Sequence, residues 1–112
     1  MKKIEVIIRP EKLEEVKEFL SQKGIHGMTV TMVSGCGHQK GLKEVYRGTE
    51  LTINLLPKIK VEIVIAKEKV EMIMDELSAV CSTGSVGDGK AFVSDIENVM
   101  RLRTGEKGLN AL

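Results

Sequence analysis

IEVIIRPEKLEEVKEFL (residues 4–20) and VEIVIAKEKVEMIMDEL (residues 61–77) are two versions of one pattern, 57 residues apart. In each, a short alternating apolar run leads into a stretch whose apolar residues recur at every third or fourth position. The first run is typical of a half-buried strand and the second of an amphipathic helix. Each copy continues into a further strand, so the chain predicts two strand–helix–strand units joined by residues 37–58.

Proline and glycine residues set the expected bounds of these elements. Pro10 suits the first turn of a helix, where its missing N–H costs nothing, and Gly24 suits the C-cap of the same helix. A second helix is expected from the spacing of Val70, Ile73, Met74, Leu77, Val80 and Cys81. Strands are expected over about 2–9, 27–36, 59–66, 90–96 and 101–105.

Two such repeats predict an α+β fold of the ferredoxin-like, split βαβ kind. Its four-stranded antiparallel sheet would carry both helices on one face. The other face would expose Glu5, Ile7, Glu62 and Val64. Because this face is half apolar, we expect it to be covered by self-association.

Composition narrows the class of protein. The length of 112 residues predicts a single domain over 1–112. The net charge of +1 gives no strong electrostatic attraction to nucleic acid. Two phenylalanines, one tyrosine and no tryptophan argue against an RNA-binding sheet, which stacks bases on aromatic side chains. Two cysteines and a short apolar start favour a reducing, cytoplasmic location without a signal peptide or membrane span.

The joining stretch, GHQKGLKEVYRGTELTINLLPK (37–58), is long for a loop inside a compact domain, and such loops are usually functional or disordered. Its TINLLPK part alternates like a strand, which indicates a partly ordered, extended arm. Tyr46 and Arg47 at its tip are residue types favoured at protein interfaces. The composition leaves a partner-binding arm and a solvated loop equally open.

Three features indicate an anion site. GCGHQKG (35–41) and VGDGK (86–90) expose backbone N–H groups, and the second ends in a lysine. Arg101 and Arg103, two apart on an expected strand, would project both guanidinium groups to one side. Neither glycine run has Walker or Rossmann spacing, so the phosphate cradle would be of another kind.

Other chemistry has less support. Cys36 and His38 supply two of the four ligands that a zinc site needs, and Cys81 falls on the buried face of a helix. The same pair lacks the third group that would orient a catalytic Cys–His dyad. Asp88 is expected to form a turn.

GMTVTMVSGCGHQKG, YRGTE, LLPKIKVEIV, TGSVGDGKAFV and RLRTGE, at these spacings, resemble the PII nitrogen-regulatory signal proteins across nearly the whole chain. The resemblance implies a homotrimer that binds ATP or ADP in clefts between subunits. It also implies 2-oxoglutarate binding with Mg²⁺ and ATP at the base of a T-loop, here about residues 37–55, and a C-terminal tail over about 104–112.

The resemblance also assigns site residues. The nucleotide would be bound by Ile7, Thr29, Gly35, Gly37, His38, Gln39, Val64, Gly87, Asp88, Gly89, Lys90, Arg101 and Arg103. Ile7 and Val64 would line the base pocket, and Lys90 and the arginines would neutralise phosphates. The 2-oxoglutarate site would comprise Gln39, Lys40, Gly41, Lys58 and Gly87, with Gln39 also ligating Mg²⁺.

The resemblance implies a non-enzymatic sensor of adenine nucleotides and 2-oxoglutarate whose T-loop binds a target protein. The leading candidate target is an ammonium transporter. Glutamine synthetase, an arginine-pathway kinase and nitrogenase regulators are further expected targets, and membrane contact would occur only through a partner. Partner contact is assigned to Tyr46, Arg47, Gly48 and Thr49. A trimeric metal-binding protein of similar fold and a nucleotide-hydrolysing enzyme are the alternatives.

This sequence departs from the family pattern at three positions. Leu51 replaces the tyrosine that many bacterial members uridylylate, so that modification is impossible here. Thr49 occupies the place of a serine that some relatives phosphorylate, so the resemblance implies Thr49 as a candidate modification site. His38 replaces a usual arginine with a group that titrates near neutrality, which predicts weaker or pH-dependent ATP binding. Equal ATP affinity of the protein and its His38→Arg variant between about pH 6 and 8 would contradict this prediction.

Overall fold

The computed structural model describes residues 1–36, 42–46, 49–53 and 55–112, and for 42–46 and 49–53 it describes the backbone. The strands are β1 (Lys2–Ile8), β2 (Thr29–Gly35), β3 (Leu42–Tyr46), β4 (Thr49–Ile53), β5 (Leu56–Ile65) and β6 (Gly89–Asp95). The helices are α1 (Leu13–Gln22) and α2 (Val70–Cys81). Short 3₁₀ turns cover Pro10–Lys12, Lys67–Lys69 and Leu109–Ala111.

Four strands of the described chain form one antiparallel sheet in the order β2-β5-β1-β6. The two central strands are the first strands of the two repeats, and Ile4 lies opposite Ile63. The two repeats also agree in local conformation. Arg9 and Ala66, which precede the 3₁₀ turns at Pro10 and Lys67, have nearly the same φ and ψ angles. The predicted ferredoxin-like fold is confirmed.

Both helices pack on one face of this sheet because their apolar stripes match the inward alternation of β1 and β5. Val16 of α1 and Ile73 of α2 are fully buried, as are Ile4 and Ile8 of β1. Gly24 ends the first helical region with a φ of 77°, as predicted, and the Ile25 N–H donates to the Leu20 carbonyl there.

The other face carries the residues predicted for it, and Glu5, Ile7, Glu62 and Val64 are all half-buried. Glu5 lies directly opposite Glu62 in the register of β1 and β5. Each carboxylate is paired with a lysine of its own strand, Lys3 to Glu5 at 3.1 Å and Lys60 to Glu62 at 3.2 Å. These ion pairs offset the repulsion between two like charges across the ladder.

Two expectations about strands are corrected. Residues 101–105 are a turn, closed by the Gly105 N–H to the Arg101 carbonyl at 2.7 Å and bracketed by a single bridge between Met100 and Lys107. The alternation in this segment is misleading because Leu102 is 88% exposed and does not pack. The arm is more regular than expected, since β3 and β4 form an antiparallel hairpin in which Tyr46 pairs with Thr49.

In the described ranges, no helix has both the length and the hydropathy that a crossing of the bilayer requires.

Candidate functional site

A tight glycine turn connects α2 to β6 over residues 82–88, and Asp88 holds it closed. The Thr83 N–H donates to Asp88 Oδ2 at 2.7 Å and the Gly84 N–H donates to the same oxygen at 3.1 Å. The Thr83 hydroxyl and Arg9 Nε, at 3.1 Å, donate to Oδ1. These bonds, above all that from the Thr83 hydroxyl, hold the pKa of Asp88 well below its usual range. Asp88 therefore shapes the turn, as predicted.

Two cations hold the carbonyl groups of this turn. Arg9 Nη2 donates to the Val86 carbonyl at 3.0 Å, and Lys58 Nζ donates to the Gly87 carbonyl at 2.7 Å. In a trans peptide the C=O and N–H groups point in opposite directions, so the next N–H groups, those of Gly87 and Asp88, point away from these cations. Neither N–H donates to another residue that the structure describes. The turn thus offers two adjacent donors to an anion.

Gly89 fixes this turn against the end of β1. Its φ is 107°, and a Cβ atom at this position would lie 1.7 Å from the carbonyl oxygen of Ile7. A side chain would therefore need both a disfavoured backbone conformation and space that β1 occupies. Gly89 lets the chain leave the turn and pair closely beside β1, where it lies opposite Ile8.

A cleft of about 630 Å³, here called the glycine-turn cleft, opens beside this turn. It brings together the predicted site residues Ile7, Gly35, Lys58, Gly87, Gly89 and Lys90. Lys60 and Cys36 also line it, and Glu5 is the acidic residue of its lining. Three lysines against one glutamate give this lining a positive balance of charge, which suits an anion.

A second cleft of about 830 Å³, here called the tail cleft, holds the predicted site residues Thr29 and Val64. Leu109 and Leu112 of the C-terminal tail border it, together with His26. The two clefts lie toward opposite ends of the open sheet face, because Ile7 pairs with Lys60 whereas Val64 pairs with Lys3. Four strand residues separate these pairs, which is roughly 13 Å. In the described part of one chain, Ile7 lines the glycine-turn cleft and Val64 lines the tail cleft.

Arg101 and Arg103 lie in the turn that replaces the expected last strand, so the prediction that a strand aligns them is wrong. The Arg101 guanidinium donates to Glu106 Oε1 at 3.1 Å and to the backbone oxygens of Asn110 and Leu112 at 3.4 Å. It is thereby held against the tail that borders the tail cleft. Arg103 is exposed. Neither arginine lines the glycine-turn cleft.

Several predicted site residues lie outside the described residues. These are Gly37, His38, Gln39, Lys40, Gly41, Arg47 and Gly48. Tyr46 and Thr49 are described through their backbone pairing. In the remainder of the chain no group of three metal-ligating side chains converges, Cys36 is exposed, and Cys81 is buried as predicted.

The residues that sequence reasoning missed are Arg9 and Thr83. Arg9 directly follows β1 and Thr83 lies two residues after α2, and neither stands in a pattern that indicates a site. Their roles depend on the contact between the end of β1 and the glycine turn, two segments about eighty residues apart in sequence. Thr83 could have been found from its position, because it is a hydroxyl residue directly before the glycine-rich segment that starts at Gly84.

The family model for the nitrogen regulatory protein P-II matches residues 1–106 of the chain. The chain belongs to the P-II family. It is 53% identical to the nitrogen regulatory protein P-II of Rhizobium meliloti strain 1021, 54% to that of Microchaete diplosiphon and 52% to that of Pasteurella multocida strain Pm70. Each comparison spans 112 residues and the whole of both chains. Membership of the P-II family confirms the predicted resemblance and supports a role in nitrogen signalling.

Proposed function

We propose that this P-II protein is a non-enzymatic sensor that binds ATP or ADP, and 2-oxoglutarate with Mg²⁺, in clefts between the subunits of a homotrimer. The observation that carries the proposal is the division of the predicted nucleotide site into two parts at opposite ends of the open sheet face. The first half-site is the glycine-turn cleft with Ile7 and Lys90. The second is the tail cleft with Thr29 and Val64, next to Arg101.

A rotational assembly would join the first half-site of one copy to the second half-site of the next. The unbonded N–H groups of Gly87 and Asp88, with the Lys90 ammonium, supply donors and charge for phosphate oxygens. Arg101 from the next copy would add a planar guanidinium, which suits phosphate through paired hydrogen bonds. Ile7 and Val64 would then face the base from two sides.

The position of Lys58 suggests how a keto acid would act on the arm. Lys58 is 8% exposed and lies near the start of β5, while Gly35 ends β2, so the two residues flank the arm. They are in contact, since a Cβ atom on Gly35 would lie 3.3 Å from Lys58 Cγ. A 2-oxoglutarate carboxylate drawn to Lys58 would perturb the base of the arm at both ends. Ligand occupancy would thereby shift the population of arm conformations.

The arm would carry the signal to a target through Tyr46, Arg47, Gly48 and Thr49, with an ammonium transporter as the first candidate. Arg47, at the tip, would enter the cytoplasmic mouth of such a pore. Co-precipitation with the transporter should be lost on Arg47→Ala and kept on Lys43→Ala, a cation of the same arm. Equal capture of both variants would remove Arg47 from this role. Soluble targets would be glutamine synthetase, an arginine-pathway kinase or a nitrogenase regulator.

Calorimetric titration with ATP and with ADP, each with and without 2-oxoglutarate and Mg²⁺, tests ligand binding directly. We expect nucleotide binding in every condition, and 2-oxoglutarate binding only when Mg²⁺ and ATP are present. A protein that takes up neither adenine nucleotide would refute the proposal. Steady ATP hydrolysis well above background would favour the enzyme alternative.

Mixing variants tests whether the site is shared between subunits. Lys90→Ala damages the first half-site and Arg101→Ala the second, so each variant alone should bind ATP weakly. Trimers assembled from an equal mixture would pair an intact first half-site with an intact second one at about one quarter of the clefts. Recovery of high-affinity binding at that level supports a shared site. No recovery, with trimers verified by native mass spectrometry, would place both residues in one chain's site.

A further inference from the structure

The C-terminal tail folds back onto its own chain and holds Arg101. The Arg101 N–H donates to the Glu106 carbonyl at 2.8 Å while the guanidinium donates to the Glu106 carboxylate, so the two residues are joined twice. The Gly108 N–H donates to the Val99 carbonyl at 3.0 Å, which anchors the segment that follows. The 3₁₀ turn Leu109–Ala111 then brings the last backbone oxygens to the guanidinium.

Apolar contact accompanies these polar ones. Ala111 is 8% exposed, although it lies one residue from the last position of the chain. Leu109 and Leu112 on either side of it border the tail cleft, where Thr29 and Val64 lie. The tail therefore contacts both parts of the second half-site, the arginine and the apolar cleft.

We propose that residues 106–112 are a built-in competitor of the nucleotide. This inference rests on the function proposed above. In the folded-back tail the Glu106 carboxylate and the backbone oxygens of Asn110 and Leu112 are the acceptors of the Arg101 guanidinium. A nucleotide phosphate needs the same donors of the same guanidinium, while a base in the tail cleft would contact Leu109 and Leu112 at its border. Binding therefore displaces the tail, and the strength of the tail contacts lowers the apparent affinity.

The geometry favours exchange over a permanent lock. The Arg101 and Glu106 side chains are 38% and 43% exposed, and ion pairs in contact with solvent contribute little to stability. A phosphate brings more charge and more acceptor oxygens than one carboxylate, so it prevails when it is present. Removing the competitor should raise ATP affinity by about twofold to fivefold, the range expected for one weak ion pair.

The test compares ATP dissociation constants for the wild type, Glu106→Gln, and a chain that ends at Gly108. Glu97→Gln, an exposed carboxylate outside the tail, is the control for the lost negative charge. We expect both tail variants to bind ATP more tightly and the control to match the wild type. Unchanged or weaker binding by Glu106→Gln would overturn the proposal and indicate that Glu106 orients Arg101 for the ligand.

Hydrogen exchange on the wild type gives a second readout that needs no variant. The N–H groups of Gly108, Ala111 and Leu112 are hydrogen-bonded in the folded-back tail. Saturating ATP should speed exchange at these amides while it slows exchange in the glycine turn. Slower exchange at both places would mean that the tail closes over the nucleotide. ATP binding with no change in the tail contradicts this inference alone, whereas a wild type that binds no ATP overturns both proposals.

Discussion

Replacing Gly89 with alanine should destabilise the fold more than the same replacement at Gly84, in the same turn. The new Cβ atom would lie 1.7 Å from the Ile7 carbonyl oxygen and 3.5 Å from the Ile8 Cα atom. The obstacle is backbone, which cannot rotate aside as a side chain would. The start of β6 would have to lift away from β1, where Gly89 pairs with Ile8.

The cost has two parts. An L-residue held at positive φ loses about 1–2 kcal/mol. Lifting the start of β6 sacrifices about two ladder hydrogen bonds at roughly 1 kcal/mol each. Gly89→Ala should therefore cost about 3–4 kcal/mol of unfolding free energy. Gly84→Ala is the matched control, because Gly84 has a φ of 80° but nothing within 4 Å of its virtual Cβ atom. It should cost only the first part.

Urea unfolding, followed by circular dichroism at one protomer concentration, measures the difference between these variants. We expect Gly89→Ala to unfold at the lower urea concentration, with a gap of about 2 kcal/mol. Equal midpoints for the two variants would show that the Ile7 contact does not constrain the turn, and the account of how the turn is held against β1 would fail.

Three further outcomes are expected. Hydrogen bonds from Thr83 and Arg9 lower the pKa of Asp88 in the folded protein. The ionised carboxylate therefore stabilises the fold above the pKa of unfolded Asp, about 3.9, and this stabilisation is lost as the pH falls below that value. The difference in unfolding free energy between the wild type and Asp88→Asn should shrink below about pH 4. Ellman's reagent should react rapidly with the exposed Cys36 thiol but with Cys81 only after unfolding, because Cys81 is buried and its burial raises the pKa of the thiol. Rapid reaction of both thiols in the folded protein would contradict this. Ile73→Ala should cost about 2–5 kcal/mol, whereas Met72→Ala, at a 46% exposed position, should cost about 0.5 kcal/mol.

Local pattern was enough to predict the body of this fold. The apolar residues alternate in β1 and β5 and recur at helical spacing in α1 and α2. Packing both helices on one face of the sheet buries both sets of residues. The glycine turn was also predicted from local pattern, and Gly87 and Gly89 adopt positive φ there. Its use as an anion site stays a prediction.

Long-range contacts could not be read in the same way. Residues 101–105 alternate like a strand, yet alternation does not reveal whether a partner ladder exists, and here the tail turns back instead. The hairpin of β3 and β4 was foreseen only as an extended arm, since its pairing depends on a tip that the composition does not specify. Arg9 was missed because nothing local distinguishes it, and its role comes from the distant Asp88.

The hairpin of β3 and β4 forms a sheet of its own, and in the described part of the chain its strands hydrogen-bond only to each other. Such an arm is interchangeable: residues 42–53 of a P-II relative should be graftable here without loss of folding. Such a graft would change the surface that the arm offers to a partner and leave the four-stranded sheet and its two clefts as they are.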